Sequence, residues 1–105
     1  MATYIELGDG SSFAMEDSHW KIAASATAPA FRTDGLTSAR LIVRTNDRGS
    51  VLIYSEIKSP EGAFRAGEVL PPESPGIISA LQSIACLYGL PTSCFDSCLE
   101  QLYRK

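Results

Sequence analysis

Two apolar, β-branched runs flank the segment from Asn46 to Gly49, and together they constrain the fold more than any other stretch. The first run spans Ala39 to Thr45 and the second Ser50 to Lys58. Runs of this kind on either side of a glycine-containing turn read as a β-hairpin. Asn46 suits the first position of a type I turn, because its side chain can accept a hydrogen bond from backbone two residues on. Gly49 suits the left-handed position that follows. A three-residue loop of Asp47, Arg48 and Gly49 pairs Asn46 with Ser50. This register sets Val43 opposite Ile53, Ile42 opposite Tyr54 and Arg40 opposite Glu56. A four-residue loop would slip the pairing by one and lose the Arg40–Glu56 match, so the first register is expected.

The two-residue period of a strand then sorts the side chains. Leu41, Val43, Val51, Ile53 and Ile57 form a core face. Arg40, Ile42, Arg44, Leu52, Tyr54 and Glu56 form a second face. It is too apolar for open solvent and too charged for deep burial, and no other segment stands out as its cover.

The flanking segments extend the sheet. Tyr4–Leu7 and Ser12–Met15 read as a short hairpin around Gly8, Asp9 and Gly10. That turn lacks the further glycines, the lysine and the following helix of a phosphate-binding loop. Residues 16–28 fit two patterns. Asp17 or Ser18 could cap a helix through Trp20, Ile22, Ala23 and Ala26, whereas Trp20, Ile22, Ala24 and Ala26 also alternate as in a strand. The sheet-like flanks favour the strand. Trp20 is expected as a core anchor and His19 at the surface. The loop over 29–38 is expected to tuck Phe31 and Leu36 onto the core. Turn chemistry over 59–62 closes the main hairpin, and 63–66 is read as a short extension or loop.

Pro71, Pro72 and Pro75 mark 67–76 as a semi-rigid connector. Ser74 is the expected cap and Pro75 the first residue of a helix. Ile77, Leu81, Ile84 and Tyr88 form its apolar stripe, with Leu87 on a second apolar flank. Gly89 and Pro91 supply stop signals. Thr92 or Ser93 can cap a second helix carrying Phe95, Cys98, Leu99, Leu102 and Tyr103. The expected architecture is a single α+β domain over 1–105. A mostly antiparallel sheet of four or five strands fills 1–66, and the 67–76 connector leads to a helical hairpin over 75–104, packed on one sheet face.

The formal net charge of −3 argues against nonspecific binding to nucleic acid or anionic membranes. No apolar run approaches the roughly 18 to 20 residues of a membrane span. The first residues lack the basic region and apolar centre of a secretory signal. Three cysteines, an odd count, fit a reduced, cytoplasmic setting better than a disulfide framework. Cys86, Cys94 and Cys98 with His19 would make four zinc ligands in number, but their spacing matches no common zinc motif. The carboxylates are scattered and His19 is the only histidine, so no catalytic residue, metal or cofactor is assigned.

The leading expectation is a small non-catalytic interaction or regulatory protein that binds another protein and self-associates as a homodimer, with Arg40, Arg44 and Tyr54 as partner-binding residues. A second reading is a DNA-binding regulator, because Ala85, Gly89, Leu90, Phe95 and Cys98 match helix-turn-helix spacing within 81–103. Against it, Asp96 and Glu100 lie on the would-be recognition helix, while Arg104 and Lys105 sit at its far end. A third is a small-molecule or anion site between sheet and helices, lined by Trp20, Arg44 and Tyr54.

Overall fold

The computed structural model describes residues 2–28 and 38–104. Strands β1 (Ala2–Leu7), β2 (Ser12–Glu16), β3 (Lys21–Ala28), β4 (Ser38–Thr45), β5 (Val51–Ser59) and β6 (Gly62–Leu70) are followed by helices α1 (Ile77–Leu87) and α2 (Thr92–Tyr103). The strands form one sheet in the order β2-β1-β6-β5-β4-β3. Every pairing is antiparallel except β1 with β6, which run parallel through Glu6–Ala66 and Leu7–Gly67. The class is α+β with both helices on one face, and the sheet has one or two strands more than expected. The additional strand is β6: its first part covers 63–66, for which the sequence allows a short extension or a loop, and its last part, 67–70, falls within the expected connector. Val69 and Leu70 pair with Leu52 and Val51, so the ladder overrides any loop preference there.

The central hairpin has the expected register. Val43 faces Ile53, Ile42 faces Tyr54 and Arg40 faces Glu56. The Asn46 side chain accepts hydrogen bonds from the backbone N–H of Arg48 at 3.1 Å and of Ser50 at 2.9 Å. Gly49 takes φ +83°, where a Cβ would be strained. The N-terminal hairpin also forms as read. At its turn the Asp9 carboxylate accepts from the hydroxyl and the N–H of Ser11, and these bonds lower its pKa.

Residues 16–28 resolve into a short 3₁₀ turn, Asp17–His19, and then β3. The alanines of β3 have high helix propensity, yet they serve the sheet by their small size. Ala24 and Ala28 are buried beneath α2, where larger side chains would hold the helix off. Ala23 is an extra residue in the ladder, a bulge that bends the strand. The Gln101 amide of α2 then grips the β3 backbone. It accepts from the Ser25 N–H at 3.0 Å and donates to the Ser25 carbonyl at 2.9 Å, taking up edge groups that would otherwise be open to another strand.

The helices begin differently from expectation. Gly76, not Ser74, is the α1 cap residue, and Ser74 Oγ accepts the Gly76 N–H at 3.3 Å in the preceding turn. Pro91, not Thr92 or Ser93, caps α2. The α1 stop is as read. Leu90 N–H bonds to Ala85 O and Gly89 N–H to Cys86 O, with Gly89 at φ +67°. This is a Schellman motif, and its apolar residue Leu90 joins the core beside Ile84 and Ala85. The tight turn places α1 over β5 and α2 over β3 and β4. Leu41, Val43, Val51, Ile53, Leu81, Ile84, Cys94 and Cys98 fill the layer between helices and sheet. Ile57 is only half-buried, at the margin of that layer. The expected placement of Phe31 and Leu36 lies outside the described residues.

A second core fills the opposite face. Ile5 and Met15 of the N-terminal hairpin form one buried cluster with Trp20, Ile42, Leu52 and Tyr54. The sheet therefore coils until β1 and β2 close over the face away from the helices. Gly67 lies where β6 pairs with both β5 and β1. A Cβ there would stand 1.9 Å from the Ile53 carbonyl oxygen, so only glycine permits this close approach. No helix among the described residues is long and apolar enough to cross a membrane.

Candidate functional site

The centre of the second hairpin face is deeply buried, which corrects the expectation that it is too charged for deep burial. The N-terminal hairpin and Trp20 lie over it, leaving Tyr54 1% exposed and Ile42 1% exposed. Arg44, Tyr54 and Trp20 do come together, but on the face opposite the helices rather than between helices and sheet. Arg44 Nε donates to the Tyr54 hydroxyl at 3.0 Å, and its Nη1 donates to the Trp20 carbonyl at 3.1 Å. Phe13 meets Trp20 edge to face with ring centroids 5.8 Å apart. Arg44 thus ties the strand to the segment that covers it.

Arg40 and Tyr54 share a sheet face but no exposed surface, since Tyr54 is buried. Arg40 belongs to an ion cluster around Glu56, whose side chain is 8% exposed. Arg65 Nε donates to Glu56 Oε2 at 2.7 Å, Arg40 Nη1 lies 3.6 Å from Oε1, and Lys58 Nζ lies 3.9 Å from it. The expected cross-strand pair exists, and the shorter contact comes from Arg65, on the segment read as a short extension or loop.

His19 is exposed, as expected. It borders an open cleft of about 570 Å³ between residues 18–21 and the 45–48 turn, lined also by Lys21, Asp47 and Arg48. This lining mixes charges around an open entrance, and among the described residues no hydrogen bond joins its Ser18, His19 and Asp47 side chains. The thiols are separated by environment. Cys86 is exposed, whereas burial raises the pKa of Cys94 and pushes Cys98 up to about 11, with Cys94 adding to the latter effect. Cys98 Sγ lies 3.7 Å from the Leu41 carbonyl it can donate to. Among the described residues, no three His, Cys, Asp or Glu side chains converge as metal ligands.

The outward side of α2 carries Asp96 and Glu100. Arg104 pairs with Glu100, and Gln101 is committed to Ser25 and Ser97. Its buried side holds Cys94 and Cys98 against β3 and β4.

A different surface stands out as open and apolar. Two hollows lie end to end along α1. One, of about 330 Å³, runs between α1 and β6 past Leu70, Ala80 and Ser83. The other, of about 260 Å³, runs between α1 and the β6–β1 pair past Gly8, Ala66 and Tyr88. Glu68, Ile84 and Leu87 line both. Leu87 is 74% exposed at the rim, and Phe64, 45% exposed, packs against the Tyr88 ring with centroids 6.3 Å apart. Tyr4, 65% exposed, points from β1 to the same side as Glu6, which shares its strand parity. Among the described residues, Glu6 and Glu68 are the only charged ones in the lining. Burial and the nearby Glu6 charge both raise the Tyr88 pKa.

Leu87 was visible in the sequence as a second apolar flank on α1. Phe64 and Tyr4 were not, because their significance depends on which strand lies beside which. Comparison with protein families, with curated proteins and with solved structures found no match.

Proposed function

We propose that this chain is a small non-catalytic interaction protein that binds another polypeptide through the surface between α1 and the β6–β1 pair. The observation that carries this reading is the cost of leaving Leu87, Phe64 and Tyr4 in water around a ready-made groove. Apolar clusters of this kind beside a polar rim mark contact sites more often than isolated exposed residues do. Arg40, Arg44 and Tyr54, expected from sequence as the contact residues, are reassigned in this reading to holding the second core together. Three free thiols fit a cytoplasmic setting for such a protein. The interaction reading is favoured over a DNA-binding regulator, because α2 presents acids where phosphates would lie and spends its polar side chains on the fold.

Photo-crosslinking tests it. A benzophenone amino acid in place of Leu87, introduced in the cells that make the protein, is expected to capture a polypeptide, and Phe64→Asp is expected to abolish the capture. The same probe in place of Ile22, exposed on β3, serves as the control position. No adduct from the Leu87 position, or equal adducts from both positions, would refute the reading. An adduct with a second copy of this chain would identify self-association as the interaction.

A further inference from the structure

We infer that the groove beside α1 receives an amphipathic helix from a different protein, with an apolar stripe for the hollows and Lys or Arg residues placed against Glu6 and Glu68. This rests on the interaction reading and names the partner's chemistry. Three observations lead to it.

The first concerns backbone supply. An added strand needs an open sheet edge with unpaired N–H and C=O groups. At Ala66 and Gly67, the centre of the groove floor, β6 is paired with β5 on one side and with β1 on the other, and β1 is itself paired with β2. There the floor offers side chains alone, which suits a helix better than an added strand.

The second concerns the layer. Helices on a sheet stack side by side about 8–10 Å apart. The two helices here occupy β3 to β5 and the near side of β6. Beside α1, on the flank carrying Leu87 and Tyr88, no described helix continues the layer over β1. A docked helix would take that place, its apolar residues entering the hollows past Ile84 and Ala66.

The third concerns charge. Glu68 stands where the hollows meet and Glu6 at the far wall, with no cation in the lining among the described residues. Among the described residues neither makes an ion pair. An apolar partner without cations would bury these carboxylates uncompensated, at considerable cost. A partner with basic residues flanking its stripe would compensate them, and an acidic one would be repelled.

Two designed helices of about 15 residues form the probe, one with Leu on the apolar stripe and Lys elsewhere, the other with Glu replacing every Lys. Binding is read by fluorescence anisotropy and located by amide chemical shifts. The Leu/Lys helix is expected to bind about tenfold or more tighter than the Leu/Glu helix. Its shifts should map to residues 4–8, 64–68 and 79–88. The double variant Glu6→Lys with Glu68→Lys should reverse the preference, and Leu87→Ser should weaken both helices. All three positions line an open groove, and unchanged thermal melting will confirm that the variants fold. Equal binding of the two helices, shifts mapping elsewhere, or an unreversed preference would overturn the inference. So would sedimentation showing the groove already filled by a second copy. Failure here with the Leu87 cross-links intact removes the basic helix and leaves the interaction reading; failure of both removes both.

Discussion

Replacing Gly67 by alanine tests the central feature of the fold, the close approach of β6 to β5 under the coiled sheet. The added Cβ would sit 1.9 Å from the Ile53 carbonyl oxygen and 2.6 Å from the Tyr54 Cα. Both obstacles are backbone, so no rotamer change relieves them. Relief requires the two strands to separate locally, which strains the β5–β6 ladder and disturbs Tyr54 in the second core. Overpacking of this kind costs about 1–3 kcal/mol, and each ladder bond lost adds about 1 kcal/mol. Restricting the unfolded chain returns only about 0.4–1 kcal/mol. The net expectation is a loss of about 2–3 kcal/mol. For a chain of this size that lowers Tm by roughly 10–20 °C. Thermal and urea unfolding measure it, and Trp20, the sole tryptophan, reports on the second core by a red shift of its emission. Gly76→Ala is the matched control, because its Cβ would meet only Ser74 Oγ at 3.6 Å. A Gly67→Ala protein melting within about 3 °C of the parent would refute the reasoning, since β5 and β6 could not then be as close as described.

Three further outcomes follow from buried groups. Ser55 Oγ is fully buried and finds no hydrogen-bond partner among the described residues. Ser55→Ala is therefore expected to leave stability unchanged or raise it by about 1 kcal/mol, measured by urea unfolding; a clear loss would show that the hydroxyl is satisfied. Cys98 is held neutral, with its pKa raised from 9.0 to about 11 by burial. The unfolded thiol ionises first, so the stability carried by the neutral form is complete below pH 9 and is lost as pH rises towards 11. Urea midpoints at pH 8 and 10.5 should fall more steeply for the parent than for Cys98→Ala, and equal falls would contradict the assignment. In the native protein a thiol reagent should label Cys86 rapidly and Cys94 and Cys98 only on unfolding.

The elements legible in the sequence are those whose signals are local. Asn46 and Gly49 specify the central turn through their own backbone preferences, and the turn sets the register of every pair from Arg40–Glu56 to Thr45–Val51. Gly89 specifies the end of α1 because a left-handed residue there needs no Cβ. Residues 16–28 are nearly balanced between helix and strand in the sequence, since the spacing of Trp20, Ile22 and the alanines satisfies both periods. Contact with α2 decided for the strand, where small side chains and the Gln101 clasp on Ser25 have value. The end of β6 was obscured by the prolines that follow it, although Leu70 pairs with Val51 up to the first of them.

Two amphipathic layers are written into local pattern: a central hairpin with distinct faces and a tight pair of helices with an apolar stripe. Each follows from side-chain period and turn chemistry acting within a few residues. What each face meets is set by long-range packing. Coiling of the sheet at Gly67 brings Ile5 and Met15 over Tyr54, turning the most suggestive surface of the hairpin into a second core. The same coiling leaves Phe64, Leu87 and Tyr88 together at a groove, although Phe64 and Leu87 are 23 positions apart in the chain. Burial depends on which distant strand packs above a residue, and local pattern carries no record of that choice.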